Sequence, residues 1–255
     1  MSPLRSHFRR ILVIPARRRS TRLPDKMLLR AAGKTVLQHT YEAALKVKRA
    51  ELILIATDDE EIAAECRRFG AQAVMTSPDC PSGTDRVAEA VAGFPAAEVI
   101  VNLQGDEPEA DAAAIDRLFE LLEATPTAAM ATLATPIRDR HKLEDPSCVK
   151  VTFDAVGRAL YFSRSPIPHA REWDDSLLAT EPATFHQHIG IYGYRRSLLM
   201  QMPKWPVGRL EQIEKLEQLR VLENGEAILV AVTQRATRGI DTPEDFADFV
   251  ARRAA

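Results

Sequence analysis

Five basic side chains crowd into ten residues near the start of the chain: Arg17, Arg18, Arg19, Arg22 and Lys26, interleaved with Ser20 and Thr21. Guanidinium forks and a lysine point charge suit phosphate oxygens. From charge alone a solvated basic turn reads the same way. The pattern G-x-x-x-x-G-K-[ST] is absent, which excludes a Walker A loop. Two later loops carry complementary chemistry. In Pro81-Ser82-Gly83-Thr84-Asp85-Arg86, Ser82 and Gly83 leave backbone groups free to approach a flat ligand, or the serine simply caps the next helix. In Asn102-Leu103-Gln104-Gly105-Asp106-Glu107-Pro108, Asp106 follows an apolar run, where a carboxylate can hold a hard cation against phosphates or cap a helix. Near the end, Gly239-Ile240-Asp241-Thr242-Pro243-Glu244-Asp245-Phe246 reads as a helix start, with Thr242 as N-cap, Pro243 at N1 and Asp245 at N3. Asp241 then stands outside the cap, free to face a ligand.

A second group lies between these. Arg164 is displayed by the proline-rich turn after a predicted strand. His188 and Tyr192 share one face of a strand predicted over 187–195, by period two. Over 209–224 the spacing predicts one helix stopped by Gly225. On its wheel Glu217 falls within about 40° of Leu210, Ile213 and Val221. A carboxylate in an apolar stripe needs a partner, either a buried arginine or the hydroxyls of a ligand.

These residues must be held by a repeated alternation of strands and helices. The apolar run 11–14 suits a central strand buried on both faces, ended by Pro15, which has no N–H to give the ladder. Helices are expected over 35–48, 60–69, 84–92 and 111–122, and strands over 52–57, 73–75, 99–103 and 129–133. Such alternation means a mostly parallel central sheet, Rossmann-like, with helices on both faces. Basic loops at the carboxyl ends of its strands are where open α/β sheets bind ligands. Residues 148–153 and 158–162 read as a hairpin within a β-rich part spanning about 148–200, and 227–232 as the last strand. The polar stretch 169–184 reads as a mobile excursion.

With 255 residues, one α/β domain over 11–255 accommodates all of this. A net charge of −2 gives no global field toward nucleic acid or an anionic membrane. No segment approaches a membrane span, and the apolar run behind Arg9 and Arg10 is too short for a signal peptide, so residues 1–10 are expected to be a disordered lead-in. Cys66, Cys80 and Cys148 are odd in number and far apart, which suits reduced thiols in the cytoplasm.

In order, IPAR (14–17), STRLP (20–24) with Lys26 two residues on, ATD (56–58), SGT (82–84), QGDEP (104–108), ALYFSR (159–164), HIGIYGY (188–194), LEQLR (216–220) and DTPED (241–245) resemble the sugar-acid cytidylyltransferases. Within that family the set looks most like the enzymes that activate Kdo, 3-deoxy-manno-octulosonate, for lipopolysaccharide biosynthesis. The resemblance covers about 11–246. It implies an αβα nucleotidyltransferase fold with an inserted β-rich region for the sugar site and a homodimer contact, CTP and Kdo as substrates, Mg²⁺ as cofactor and pyrophosphate as product. It implies that Arg17, Arg22 and Lys26 bind the triphosphate, Ser82 and Gly83 lie against cytosine, and Asp106 and Asp241 hold magnesium. Arg164 would meet the sugar carboxylate, and His188, Tyr192, Glu217 and Gln218 its hydroxyls. The family often has glycine and proline where this chain has Asp25 and Met27, and an aspartate beside Lys26 is expected to weaken its pull on phosphate. A different sugar acid, sialic or amino-substituted, stays open, as does a non-catalytic nucleotide-binding protein on the same fold.

Overall fold

The computed structural model describes residues 7–18, 22–234 and 238–254; Arg19, Ser20 and Thr21 of the basic stretch and residues 1–6 of the lead-in lie outside them. The first apolar run forms β1 (Arg10–Ala16), buried from Ile11 onward. Leu12 and Ile14 join one hydrophobic cluster, Ile11 and Val13 the other, so the strand needs cover on both sides. A small hairpin, β2 (Arg30–Ala31) and β3 (Lys34–Thr35), leads into α1 (Val36–Ala44). The alternation then continues through β4 (Leu52–Thr57), α2 (Glu60–Arg68), β5 (Gln72–Met75), α3 (Gly83–Val91), β6 (Val99–Asn102), α4 (Ala112–Ala124) and β7 (Met130–Pro136). After α5 (Arg140–Glu144) come β8 (Lys150–Phe153), β9 (Ala159–Ser163) and β10 (His186–Arg195). The chain ends through α6 (Arg196–Gln201), α7 (Arg209–Glu214), α8 (Leu219–Glu223), β11 (Ile228–Val232) and α9 (Pro243–Ala254).

One nine-stranded sheet runs β11-β7-β10-β6-β1-β4-β5, with β8 added to β10 and β9 to β8. β1 pairs in parallel with β4 and β6, β4 with β5, and β7 with β11. β10 runs antiparallel to β6, β7 and β8. α1, α2 and α4 cover one face through Leu37, Ile62 and Leu118; α3, α6 and α8 cover the other through Val87, Leu198 and Leu219. Helices on both faces of a mixed, mostly parallel sheet make three αβα layers. The chain leaves β1 for β4 on one side and returns as β6 on the other, a reversal that opens a crevice at the carboxyl ends of those strands.

Four expectations change. Pro15 does not end β1: it pairs with Ala56, and Ala16 with Thr57. The β6 ladder stops at Val13–Asn102, so Pro15 has a single neighbouring strand, an edge-like place that tolerates proline. The lead-in does not extend to residue 10, since Phe8 packs on the core and the Arg9 N–H donates to Glu51 Oε2 at 2.6 Å. The helix expected over 209–224 is two helices. Lys215 turns left-handed at φ 55°, ending α7, and Glu217 sits in the break rather than on an apolar stripe. Ile213, assigned to that stripe, is 68 % exposed. Residues 169–184 are tied down: Trp173 packs on Phe185, and Arg138 donates to the carbonyls of Leu178 at 2.9 Å and Thr180 at 2.7 Å.

Candidate active site

At the carboxyl ends of β1 and β6 lies a cavity of about 270 Å³. It gathers Arg17, Arg22, Lys26, Ser82, Gly83, Asp106 and Asp241 from loops far apart in the chain, together with Pro15, Met27, Cys80, Arg86 and Gln104. Four basic side chains face two carboxylates there, so the lining favours an anion.

The centre of the charge arrangement is Lys26, only 7 % exposed. Its Nζ donates to Asp106 Oδ2 and, at 2.9 Å, to Asp241 Oδ1. Arg22 Nη2 lies 3.2 Å from the other oxygen of Asp241. Burial works against the ammonium, but Asp106 and then Asp241 outweigh it, and its pKa stands above the ordinary lysine value. Two carboxylates that converge on one cation from separate loops fit magnesium, which commonly takes one or two carboxylates and completes its shell with water and substrate phosphates. The two loops are stapled directly, as the Ile240 N–H donates to Asp106 O at 2.9 Å. The capping box expected at α9 is present: Thr242 N–H donates to Asp245 Oδ2 at 2.9 Å and Asp245 N–H to Thr242 Oγ1 at 3.2 Å. On the β6 side, Thr40 Oγ1 donates to Gly105 O at 2.8 Å, and Leu103 N–H to Val13 O at 3.0 Å. Asp25 does not compete for Lys26. It accepts from Arg18 Nε at 2.8 Å, and its φ of 52° explains why glycine suits this position.

The helix-capping reading of Ser82 holds, and the residue also faces the cavity. It caps α3, with Oγ donating to Asp85 Oδ2 at 2.6 Å and accepting the Asp85 N–H at 3.2 Å. A Cβ at Gly83 would project toward Pro15 and Gln104, into the space between the two loops. Arg86, buried one turn on, donates to Thr76 Oγ1 at 2.5 Å and lies 3.3 Å from Asp58 Oδ1. Asp58 thereby ties the end of β4 to the helix that carries Ser82.

The residues expected at the sugar do not line this cavity. Four of them form a polar cluster beside it, with His188 and Gln218 buried and Tyr192 and Glu217 half-buried. The His188 and Tyr192 rings lie 5.4 Å apart, Tyr192 Oη donates to Gln218 Oε1 at 3.2 Å, and Glu217 hydrogen-bonds Thr84 of α3. Gln218 Nε2 is buried without a protein partner. Burial raises the pKa of Glu217 and of Tyr192. Arg164 stands apart at the end of β9, where its guanidinium meets the main-chain oxygens of Glu214, Pro146 and Lys215.

Thr132 Oγ1 lies 2.9 Å from His188 Nε2 and within 3.1 Å of the carbonyls of Ile189 and Ile191, at a bulge in β10. The single hydroxyl proton serves a carbonyl, so Nε2 carries the imidazole proton. Burial pushes His188 down to about 3. Below pH ~6.5 the unfolded chain takes up a proton that the folded imidazole refuses, so stability falls with pH by about 1.4 kcal/mol per unit down to the folded pKa. Denaturant midpoints at pH 6.5 and 5 test this: His188→Gln should lose about 2 kcal/mol less over that interval than the parent chain. Equal slopes would refute it.

Sequence reasoning passed over Arg86, Gln104 and Cys80 as site residues. The first two stand inside the quoted motifs, but their roles depend on where β4 and β6 end. Residues 11–228 match the family model described as cytidylyltransferase. A 3-deoxy-manno-octulosonate cytidylyltransferase of Rhodopirellula baltica is 51 % identical over 95 % of this chain and 97 % of its own. An 8-amino-3,8-dideoxy-manno-octulosonate cytidylyltransferase of Shewanella sediminis is 44 % identical over 92 % of this chain and 94 % of its own. Among solved structures, CMP:2-keto-3-deoxy-manno-octonic acid synthetase complexed with CTP superposes with a TM-score of 0.89 at 39 % identity, over 96 % of this chain and 98 % of that one.

Proposed function

Because the chain belongs to the cytidylyltransferase family, we propose that it joins CTP to Kdo, giving CMP-Kdo and pyrophosphate. The observation that carries this reading is the cavity where two carboxylates and a set of basic side chains converge at the switch point of the sheet, in a chain half identical to a Kdo enzyme. A hydroxyl of the sugar acid attacks the α-phosphorus in line, its proton is lost, and the bond to the departing pyrophosphate breaks. Arg17, Arg22 and Lys26 hold and neutralise the triphosphate. Ser82 and Gly83 set the cytosine by backbone approach, on a loop that Arg86 and Asp58 keep in place. Magnesium on Asp106 and Asp241, when bound, supplies charge for the phosphates. Arg164 takes the sugar carboxylate, and Tyr192, Glu217, Gln218 and a neutral His188 read its hydroxyls. The orphaned Gln218 amide supports this, since a buried donor calls for a partner. A homodimer contact through the β8–β9 hairpin is supported by the exposed Val156 and Leu160. Among the described residues no helix is long and apolar enough to cross a membrane.

The relatives at 43–44 % identity that carry the amino-substituted acid in their names define the second reading. Pyrophosphate release with CTP and a panel of Kdo, 8-amino-Kdo and sialic acid separates them. Kdo should give the highest kcat/KM, and CTP should be preferred over UTP. A higher kcat/KM for the amino acid would replace the first reading by the second, and equal rates with CTP and UTP would refute the role given to the Ser82 loop.

A further inference from the structure

Lys150 is fully buried on β8, between β9 and β10. Its ammonium donates to three main-chain carbonyls: Asp145 at 2.9 Å, Cys148 at 2.7 Å and Arg164 at 2.5 Å. The partners are carbonyl dipoles rather than carboxylates; the nearby Asp145 and Glu214 carboxylates favour the charge, but burial outweighs them and lowers its pKa. An ammonium enclosed in this way is unfavourable, and a methionine of similar length would fill the space without that penalty. What the ammonium does, and an apolar chain cannot, is hold three carbonyls at one point.

Those carbonyls bear on Arg164 from two sides. One is its own. The other two belong to the turn around Pro146, whose carbonyl receives Arg164 Nη1 at 3.1 Å. Glu214 completes the grip, its carbonyl accepting from Arg164 Nε at 2.8 Å and its carboxylate from the Arg164 N–H at 3.0 Å. Arg164 Nη2 lies 3.5 Å from Lys215 O. A guanidinium has five N–H bonds, so these three contacts leave one on each terminal nitrogen for a ligand carboxylate. We infer that Lys150 is a positioning residue for the sugar acid: from the core it fixes the strand end and the turn between which the Arg164 fork is aimed. The inference rests on Arg164 reading the sugar carboxylate.

The test compares Lys150→Met, Arg164→Ala and the double variant, each as the full chain, by rates of pyrophosphate release with Kdo and CTP varied in turn. Lys150→Met should raise the KM for Kdo about tenfold, below the ~10²-fold that a full ångström of misplacement can cause, and leave the KM for CTP within about twofold. The double variant should match Arg164→Ala alone, because the lysine acts only through the arginine. Where Lys150→Met does not fold, Lys150→Gln keeps a donor without the charge and should shift the KM for Kdo in the same direction. A KM for Kdo unchanged in the folded Lys150 variant, or raised in step with that for CTP, would overturn the inference. So would a Lys150 effect that persists undiminished on the Arg164→Ala background. If Arg164→Ala itself leaves the KM for Kdo unchanged, the reading of Arg164 fails and takes the inference with it; an impaired Arg164→Ala beside a normal Lys150 variant overturns the inference alone.

Discussion

Asp106→Asn should lower turnover by about 10²–10³-fold, the scale on which a preorganised electrostatic contact is missed, and leave the fold intact. Asparagine keeps the shape of the side chain and removes its charge. The main chain at this position is held independently, by Ile240 N–H on Asp106 O and by Thr40 on the preceding carbonyl. What disappears is one of the two carboxylates that converge on Lys26. The same substitution at Asp241 should act in the same direction, and there it also loosens Arg22, paired with Asp241 Oδ2 at 3.2 Å. Turnover measured against Mg²⁺ and Mn²⁺ concentration, with thermal melts alongside, checks both. A pair of variants that melt like the parent and turn over like it would remove Asp106 and Asp241 from the metal assignment.

Much of what positions these carboxylates is local, and local signals are the ones a sequence displays. The caps at Ser82 and Thr242 lie within a few residues of the helix they start, and each helix begins beside its cap. The double cover of β1 is equally plain, because an unbroken apolar run from Ile11 to Ile14 must bury both of its faces. The convergence is not local. Lys26 meets Asp106 across 80 positions and Asp241 across 215, and the motifs could only be matched one after another. The break between α7 and α8 was hidden for a different reason: apolar residues recur across it at helical spacing, while Glu214 is drawn toward Ser163 and Arg164 at the end of β9. Lys150 gave no signal at all. A lysine in a β-rich run reads as solvent-facing, and only the placement of β8 between two strands encloses it.

Gly105→Ala should cost both stability and turnover, unlike Asp106→Asn, which touches charge alone. A Cβ at this position would lie 2.9 Å from the Pro15 carbonyl oxygen and 2.9 Å from Met27 Sδ. The sulfur sits near the end of a flexible side chain and can move aside. The carbonyl belongs to β1, which is locked to β4 through Pro15–Ala56 and Ala16–Thr57. The 105–106 peptide must therefore move, and it is already held by Thr40 at 2.8 Å on one side and Ile240 at 2.9 Å on the other. Overpacking of this kind costs about 1–3 kcal/mol. Displacing the Asp106 carboxylate with it should reduce turnover by roughly 10²-fold, since an ångström of misplacement is enough for that. Met27→Ala separates the two contacts. If the main-chain clash governs, the Gly105→Ala, Met27→Ala double variant stays as slow as Gly105→Ala alone. Turnover restored by Met27→Ala would show that the sulfur was the obstacle, and parent-like turnover in Gly105→Ala would show that the loop yields without moving Asp106.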